Sequence, residues 1–509
     1  MKTGKILLLL GLIVCACLIC AGCVAEQTSD KQAADTQDRD TQTQDTQNTM
    51  SELDYFYEIN KIPRPSGNTA PMQEYLISFA KKNNLEYLKD ETGNILIKHP
   101  GTSKKSIILQ GHQDMVPAVE TGYTFDFTKD SIETYIEDGW IHAKHTTLGA
   151  DDGAGVAIIL TALTSPELKD YTISGLFTVD EETTMAGAEN INPAWLNADA
   201  LLNIDNEITG ETIISSAGGT LATAKFTPEC VPAPAGTKWY QLEISGLLSG
   251  HSGDDIDKGR LNAILLAADF LSGLDDVKLA SISGGSVHNA IPGSAGAVFA
   301  TSKDVDAYAK AWLESHYTAS DPDLDITVAA VDAPEKMYAP AFTEKFLETL
   351  CTIPDGVLES DAYGVITSSN TGVITNDGTS LSIESYTRGT NDSKHQEIAD
   401  EIADSMKKAG ADAETEFLCP GWSVSGETEF MQTAKKAYLK LTGKQLALVS
   451  THSGLECGYF AEKNPELMIL SIGPTIENPH TINERMNLDS FTETKDFTFE
   501  IVKMFCAGE

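Results

Sequence analysis

The feature of this sequence that most constrains its fold is a series of acidic residues and histidines placed where short apolar runs end. Such runs are typical of buried strands. The series consists of His112 and Asp114 after residues 106–109, Asp151 at the start of a helix-like stretch, Glu181 and Glu182 after residues 176–179, Asp205 after residues 200–202, and His480 after residues 467–470. In an open α/β sheet the carboxyl ends of the strands meet at one edge, where active sites collect. The series therefore predicts an α/β protein with its site at that edge.

The alternation of strand-like and helix-like segments divides the chain into three parts. Residues 51–215 and 421–509 both alternate β-branched runs with helical patterns, which predicts a sheet sandwiched by helices. Because His480 lies in the second of these segments, we expect the two to form one catalytic α/β/α domain. Residues 216–420 contain further strand and helix patterns and are predicted to form an inserted α+β domain that serves as a lid or dimerisation domain.

The first residues have the composition of a targeting segment. Two lysines precede an apolar stretch at residues 6–19, and the stretch ends in small residues before Cys23. This arrangement resembles the lipobox of bacterial-type lipoproteins, so residues 1–23 are predicted to be a signal peptide, with Cys23 as the lipidated residue. The alternative is an ordinary secretory signal or an uncleaved anchor. Residues 24–50 are almost free of apolar side chains and are predicted to be a disordered tether. The protein is thus expected to be an exported, membrane-anchored lipoprotein of the cell envelope.

Charge and cysteine content exclude several classes of function. The formal net charge is -39, which disfavours nucleic acid as a partner because that binding requires basic patches. The same charge disfavours anionic lipid headgroups, so membrane contact is expected only through the N-terminal lipid. Outside the leader, the cysteines are odd in number and form no CxxC pair. We therefore expect neither a disulfide framework nor a cysteine-ligated zinc site.

The series of acids and histidines has the composition of a centre for two divalent ions. Such a centre needs one bridging carboxylate, nitrogen and oxygen ligands for each ion, and an open position for water. Without a thiolate, zinc suits the site best, and manganese and cobalt are alternatives. Asp114 is placed to orient the imidazole of His112, and Glu181 is placed to act as general base. The candidate ligands are His112, Asp151, Glu182, Asp205 and His480.

Several segments of the chain together resemble one enzyme family. They are residues 112–117, 146–153, 176–182, 453–458, and 471–475 with 479–480. They resemble the aminoacyl-histidine dipeptidases, the peptidase D branch of the co-catalytic zinc aminopeptidase superfamily. The resemblance implies that Asp151 bridges two metal ions, with His112 and Asp205 completing one site and Glu182 and His480 the other. It also implies that Asp114 orients His112 and that Glu181 is the base for a metal-bridging water.

The resemblance extends into the inserted domain. Residues 249–253 resemble the family's Gly-His-Ser-Gly turn, whose histidine implies that His251 polarises the scissile carbonyl oxygen. Arg388 matches an arginine for the C-terminal carboxylate of the substrate, a task that suits a bidentate guanidinium. Asn289 is a weaker candidate for substrate binding. In some relatives the histidine comes from the other subunit, which leaves a homodimer open.

Two positions depart from the family pattern. Asp152 stands where the family usually has Asn, and Thr184 stands where it has Gly. Neither is a candidate ligand. Asp152 is expected to cap the following helix, and Glu456 is expected to be a scaffold residue.

The function expected from these residues is metal-dependent hydrolysis of dipeptides, with Xaa-His or broad specificity and a short peptide as the partner. The first alternative is an N-acyl-amino-acid deacylase or tripeptidase on the same scaffold. The second is a peptide-binding lipoprotein without catalysis, against which the presence of a base at Glu181 argues.

Overall fold

The computed structural model describes residues 50–424 and 426–508. The predicted signal peptide, the lipidation site at Cys23 and nearly all of the predicted tether lie outside the described residues. Within them, no helix has the length and apolar character needed to cross a membrane. The five cysteines of the described part are free thiols.

The elements are numbered in chain order. The α-helices of the described residues are α1 (Glu52–Ile59), α2 (Ala70–Lys82), α3 (Ala150–Thr164), α4 (Ala186–Glu189), α5 (Ala263–Ser272), α6 (Val305–His316), α7 (Pro340–Thr352), α8 (Asp392–Ala409), α9 (Glu429–Thr442), α10 (Cys457–Lys463) and α11 (Leu488–Ala507). Short 3₁₀ helices lie at Pro166–Leu168 and Pro193–Leu196.

The strands of the first half of the chain are β1 (Glu86–Lys89), β2 (Ile95–His99), β3 (Ser106–His112), β4 (Thr134–Glu137), β5 (Trp140–Ala143), β6 (Thr172–Thr178), β7 (Ala200–Asn203), β8 (Glu211–Ser216), β9 (Gly218–Phe226), β10 (Cys230–Pro232), β11 (Trp239–Ser245) and β12 (Gly250–His251). Those of the second half are β13 (Lys278–Gly284), β14 (Ala290–Ile291), β15 (Ala295–Ala300), β16 (Asp325–Val331), β17 (Lys336–Tyr338), β18 (Gly356–Ser360), β19 (Val365–Asn376), β20 (Leu381–Gly389), β21 (Asp412–Cys419), β22 (Trp422–Ser423), β23 (Ala447–Thr451), β24 (Met468–Ser471), β25 (Ile476–Glu477) and β26 (Arg485–Asn487).

The first lobe is built on a mixed sheet with the order β1-β2-β6-β3-β7-β24-β8-β22, in which β23 also pairs with β8. At its centre β3 runs parallel to β6 and β7, and β24 runs parallel to β7. Alternate residues of a strand face opposite sides of a sheet. Accordingly, Ile107 and Leu109 pack with α1, α3 and α11 on one face, and Ile108 packs with α10 on the other. The first lobe is therefore the expected α/β/α sandwich.

The second lobe is built on an antiparallel sheet with the order β16-β11-β15-β13-β19-β20-β9-β21, in which β18 also pairs with β19. Residues of α5, α6, α7 and α8 form one apolar core with it, around Phe270, Phe299 and Phe346. All of its strands lie between Gly218 and Cys419, whereas the strands of the first lobe's sheet lie before and after this stretch. The second lobe is thus an α+β insertion, as the sequence pattern predicts.

Two small sheets position loops with candidate site residues. In the sheet β25-β26-β5-β4, the loop between β25 and β26 carries His480. The bridge of β12 with β14 pairs His251 with Ala290 and fixes the turn at residues 249–254.

Candidate metal centre

Adjacent parallel strands of the first lobe bring the predicted ligands together. Because β3 lies between β6 and β7 and runs parallel to both, the three strands end side by side. His112 is the last residue of β3, Glu182 follows β6, and Asp205 follows β7. Asp151 lies at the start of α3, where Gly149 takes a positive φ of 65° to turn the chain. The structure therefore brings the predicted ligands together at this strand-end edge.

The carboxylate of Asp151 lies between two imidazoles. Its Oδ1 is 3.0 Å from Nε2 of His112, and its Oδ2 is 3.0 Å from Nε2 of His480. Asp205 Oδ1 lies 3.4 Å from the same nitrogen of His112. Glu182 Oε2 lies 2.9 Å from the same nitrogen of His480. The five residues thus form two groups of candidate metal ligands, and the Asp151 carboxylate belongs to both groups.

This group of donors fits divalent cations. Ligand atoms of His112, Asp151 and Glu182 all lie within 4.8 Å of one another, and Glu182 Oε1 is buried without a hydrogen-bond partner in the described part of the chain. Burial acts to lower the pKa of His112, but Asp205 and the neighbouring carboxylates raise it well above its ordinary value. Burial raises the pKa of Asp205 to about 6. The carboxylates that surround His112 carry more negative charge than the two imidazoles can balance, and bound cations would neutralise the excess. The imidazole of His480 is half exposed, so solvent reaches this side.

Glu181, the predicted base, lies near the candidate metal ligands His112, Asp205 and Glu182. Its backbone N–H donates to Asp114 Oδ1 at 3.2 Å. Burial, together with the charges of Asp205 and Glu182, raises the pKa of its carboxyl well above the ordinary value, against the influence of His112. Among the described residues its carboxylate has no hydrogen-bond or ion-pair partner, so the group is free to exchange a proton.

Asp114 lies beside the imidazole of His112, which it is predicted to orient. Its Oδ1 is 3.4 Å from Nδ1 of the imidazole, a charge contact at the outer limit of a hydrogen bond. Its Oδ2 accepts a hydrogen bond from the Ser66 hydroxyl at 2.8 Å. Sequence reasoning missed Ser66, which stands in a loop without any apolar pattern.

Two buried charged residues that the sequence did not reveal hold the loop before Asp151. Glu484 accepts hydrogen bonds from the backbone N–H groups of residues 148–151, at 2.8, 3.0, 2.7 and 3.3 Å in chain order. Arg64 donates to the carbonyl oxygens of Gln113 and Asp114 at 3.2 and 2.7 Å, and also to that of Gly149. Arg64 therefore joins the loop that carries Asp151 to the chain after His112. Glu484 holds the loop of Asp151 alone.

Asp152 and Glu456 hold neighbouring segments in place through hydrogen bonds. Asp152 Oδ1 accepts from the N–H of Gly155 at 2.9 Å, the predicted helix cap. Its Oδ2 also accepts from the N–H of His112 at 3.1 Å, which the sequence did not suggest. The peptide bond between Asp151 and Asp152 is cis. Glu456 is fully buried and accepts from Gln110 Nε2 and the Thr178 hydroxyl, both at 2.7 Å. Thr184, the other departure from the family pattern, accepts from the N–H of Ala186 on the surface.

The predicted substrate-binding residues form a second cluster, in the second lobe. Arg388 Nη2 donates to Nε2 of His251 at 3.1 Å, and its Nε donates to the Ser252 hydroxyl at 3.2 Å. The guanidinium is only 4% exposed, lies 4.6 Å above the ring of Tyr386, and has no carboxylate within ion-pair distance among the described residues. Asn289 enters only through its backbone carbonyl, which accepts from the N–H of Ser252 at 2.8 Å.

The two clusters are separate in this conformation. A hydrogen bond connects His251 with Arg388. Within residues 50–424 and 426–508, no hydrogen bond or ion pair connects either residue with the five metal-ligand candidates.

Comparisons with known proteins agree with this geometry. The sequence pattern of peptidase family M20/M25/M40 matches residues 108–503. The cytosol non-specific dipeptidase of Escherichia coli (strain K12) is 33% identical over 468 residues, which cover 88% of this chain and 96% of that protein. The crystal structure of aminoacylhistidine dipeptidase from Vibrio alginolyticus superposes with a TM-score of 0.82 at 33% identity, over 89% of this chain and 96% of that one. Aminopeptidase PepT from Bacillus cereus superposes with a TM-score of 0.55 at 16% identity, over 91% and 99% of the two chains, and shares the fold.

Proposed function

Because this chain belongs to peptidase family M20/M25/M40, we propose that it is a metallodipeptidase that hydrolyses dipeptides at a centre for two divalent ions. The observation that carries the proposal is the Asp151 carboxylate, which presents one oxygen to each of two imidazoles at 3.0 Å. A carboxylate shared in this way is what a two-ion centre requires.

The donors divide into two sets. His112 and Asp205 would hold one ion and His480 and Glu182 the other, with Asp151 common to both. Zinc is the proposed metal and manganese or cobalt the alternatives, since the donors are nitrogen and carboxylate oxygen without sulfur. When bound, such ions lower the pKa of water and polarise the scissile carbonyl group.

Glu181 would take a proton from the attacking water and pass it to the departing amine. Its carboxylate has no partner among the described residues, and burial raises its pKa, which favours a group that takes up the proton and then releases it. Asp114 would keep the His112 ring in the orientation that directs Nε2 toward the ion. Glu484 and Arg64 would hold the backbone of the ligand loop while the proton moves.

The pairing of His251 with Arg388 supports dipeptides as substrates. In a dipeptide only the amide nitrogen and one Cα separate the scissile carbonyl group from the terminal carboxylate. Two side chains whose nitrogens lie 3.1 Å apart can therefore serve both groups, with Arg388 on the carboxylate and His251 on the carbonyl group. A tripeptide would carry its carboxylate about 3.8 Å further away. Closure of the second lobe would bring the pair to the metal centre; a homodimer in which a second chain supplies the histidine is the alternative.

Dipeptide, tripeptide and N-acetyl-amino-acid panels test the proposal directly. The full chain is assayed as isolated, after chelation, and after return of zinc, manganese or cobalt. We expect dipeptide hydrolysis that chelation abolishes and metal restores. A preference for N-acetyl amino acids or tripeptides would favour the alternative enzymes on this scaffold. Tight dipeptide binding without hydrolysis in the metal-loaded protein would favour a binding lipoprotein.

We also propose that the protein is exported and anchored through a lipid on Cys23. The supporting observation is the run of small residues before this cysteine. Stable anchoring depends on the acyl chains added there, so Cys23→Ala should release the protein from the membrane fraction or stall its processing. Retention with normal processing would instead identify the leader as the anchor.

A further inference from the structure

Asp254 connects the second cluster with the first lobe. Its Oδ2 lies 3.2 Å from Nδ1 of His251, and its Oδ1 accepts a hydrogen bond from the Ser453 hydroxyl. Asp254 belongs to the turn after β12 in the second lobe, whereas Ser453 lies between β23 and α10 in the first. One carboxylate therefore touches the imidazole with one oxygen and the opposite lobe with the other.

The contacts on both sides of the ring assign its protons. A guanidinium can only donate, so Nε2 of His251 offers its lone pair to Arg388 and the ring proton sits on Nδ1. Asp254 Oδ2 lies 3.2 Å from Nδ1 and is its nearest charged neighbour; the Asp254 backbone nitrogen lies 3.4 Å away. Arg388 at Nε2 and the Asp254 carboxylate at Nδ1 thus together favour this tautomer and hold the direction of the ring.

The first-lobe side of this contact is connected to the strands that carry the metal-ligand candidates through Glu456. Three residues beyond Ser453, the buried carboxylate of Glu456 is hydrogen-bonded to Gln110 on β3 and Thr178 on β6. These are the two strands that carry His112 and lead to Glu181. A second contact between the lobes, from Ser368 to Nε2 of His452 at 2.7 Å, lies beside the first.

We propose that Asp254 is a positioning residue for His251, and that its bond to Ser453 couples the contact between the lobes to the orientation of the imidazole. The proposal rests on the proposed dipeptidase function, because it assigns to His251 a role toward the peptide. When Arg388 turns to the terminal carboxylate of a bound dipeptide, Nε2 of His251 is released toward the scissile carbonyl oxygen. To donate to that oxygen Nε2 takes a proton from solvent, and the Asp254 carboxylate beside Nδ1 stabilises the imidazolium that results. Separation of the lobes breaks the bond to Ser453 and leaves the ring less restrained.

Asp254 is suited to mutagenesis because its side chain is 60% exposed, so its ion pair adds little to folding stability. We expect Asp254→Ala to lower kcat for a dipeptide about tenfold, in the range of partners that orient an active group, with an unchanged melting temperature and KM within about twofold. Asp254→Asn keeps one oxygen and should fall between Asp254→Ala and wild type. Ser453→Ala should lower kcat by about threefold. Asp257→Ala, an exposed acid in the same turn, is the matched control and should behave as wild type.

A double-mutant cycle separates positioning from a general structural effect. If Asp254 acts through His251, adding Asp254→Ala to His251→Ala should cause no further loss of kcat. Additive losses in the double variant would overturn the proposal, as would a kcat of Asp254→Ala equal to that of Asp257→Ala.

Nitrogen NMR of ¹⁵N-histidine-labelled full-length protein tests the same contact without turnover. With the His251 signals assigned from His251→Gln, we expect the Nδ1–H tautomer in wild type and a mixture of tautomers in Asp254→Ala. An identical tautomer in both proteins would overturn the positioning role. Absence of dipeptide hydrolysis by metal-loaded wild type, with the tautomer change present, would instead reject the proposed function and retain the Asp254–His251 contact.

Discussion

The two clusters of functional residues differ in how firmly the fold holds them. At the metal centre, each of the two loops is fastened by a buried charged group that binds backbone atoms: Glu484 holds residues 148–151, and Asp152 holds the N–H of His112. In the second lobe, the backbone of His251 is also held, by β14 and by Asp255, but its imidazole contacts only Arg388 and the exposed Asp254 among the described residues. Buried charges therefore hold the loops of the metal-ligand candidates, whereas the His251 side chain depends on an exposed carboxylate.

This difference suits the two tasks. Ligands for two ions must keep their geometry, since small displacements cost metal affinity and rate. A residue that recognises a peptide must let the peptide enter before it closes. We therefore expect substitutions in the two clusters to have different effects, with the largest at the metal-ligand candidates.

Loss of the shared carboxylate should abolish the metal centre. We expect Asp151→Ala to lose both ions and all measurable turnover, because each set of donors depends on this side chain. Metal analysis of the dialysed protein and a dipeptide assay measure the two effects. Asp306→Ala, an exposed acid on α6 of the second lobe, is the control and should keep both. Full metal occupancy in Asp151→Ala would show that the ligand assignment is wrong.

Glu181→Gln should separate chemistry from metal binding within the same cluster. Glutamine keeps the shape of the side chain but cannot accept the proton, so we expect turnover to fall by about two to four orders of magnitude. Both ions and dipeptide binding should be retained. Metal analysis and calorimetric titration with a slowly hydrolysed dipeptide check retention, and near-normal turnover would exclude Glu181 as the base.

In the second lobe, His251 and Arg388 should affect different kinetic constants. His251→Ala should mostly lower kcat, by about 10²- to 10³-fold, because a donor to the carbonyl oxygen is felt most as charge develops. Arg388→Ala should mostly raise KM for dipeptides, by about tenfold or more, because a carboxylate anchor acts on bound substrate and transition state alike.

Steady-state kinetics on dipeptides and on their C-terminal amides distinguishes these roles. Wild type should strongly prefer the free carboxylate, and Arg388→Ala should lose that preference. If wild type cleaves the amides equally well, Arg388 is no carboxylate anchor and the protein is a broader aminopeptidase. Metal content should be normal in both variants, in contrast to Asp151→Ala.

The same contrast explains what the sequence could predict. His112, Glu182 and Asp205 follow buried parallel strands, whose two covered faces produce continuous apolar runs that are visible in the sequence. The sequence gives no indication of Glu484 and Arg64, because their partners are backbone groups, which every residue supplies. The Asp254–Ser453 contact joins two loops of different lobes, and no local pattern encodes such a pairing.

The smallest expected effect concerns a partly buried acid of the second lobe, Asp355, which is remote from the metal-ligand candidates in the sequence. Asp355 accepts hydrogen bonds from the N–H of Thr371 at 2.9 Å and from Asn262 Nδ2 at 3.4 Å, yet burial raises its pKa to about 7. The folded protein therefore keeps this proton at pH values where the unfolded chain, with an ordinary pKa of 3.8, has lost it. Stability contributed by the neutral form is complete below about pH 4 and declines as the pH rises to about 7, by at most about 1.4 kcal/mol per pH unit.

Asp355→Asn carries no titrating group and should remove this part of the decline. Denaturant unfolding of both proteins between pH 4 and 8 measures it; parallel stability curves would show that Asp355 is ionised in the folded protein, and that the second lobe tolerates a buried charge as the metal centre does.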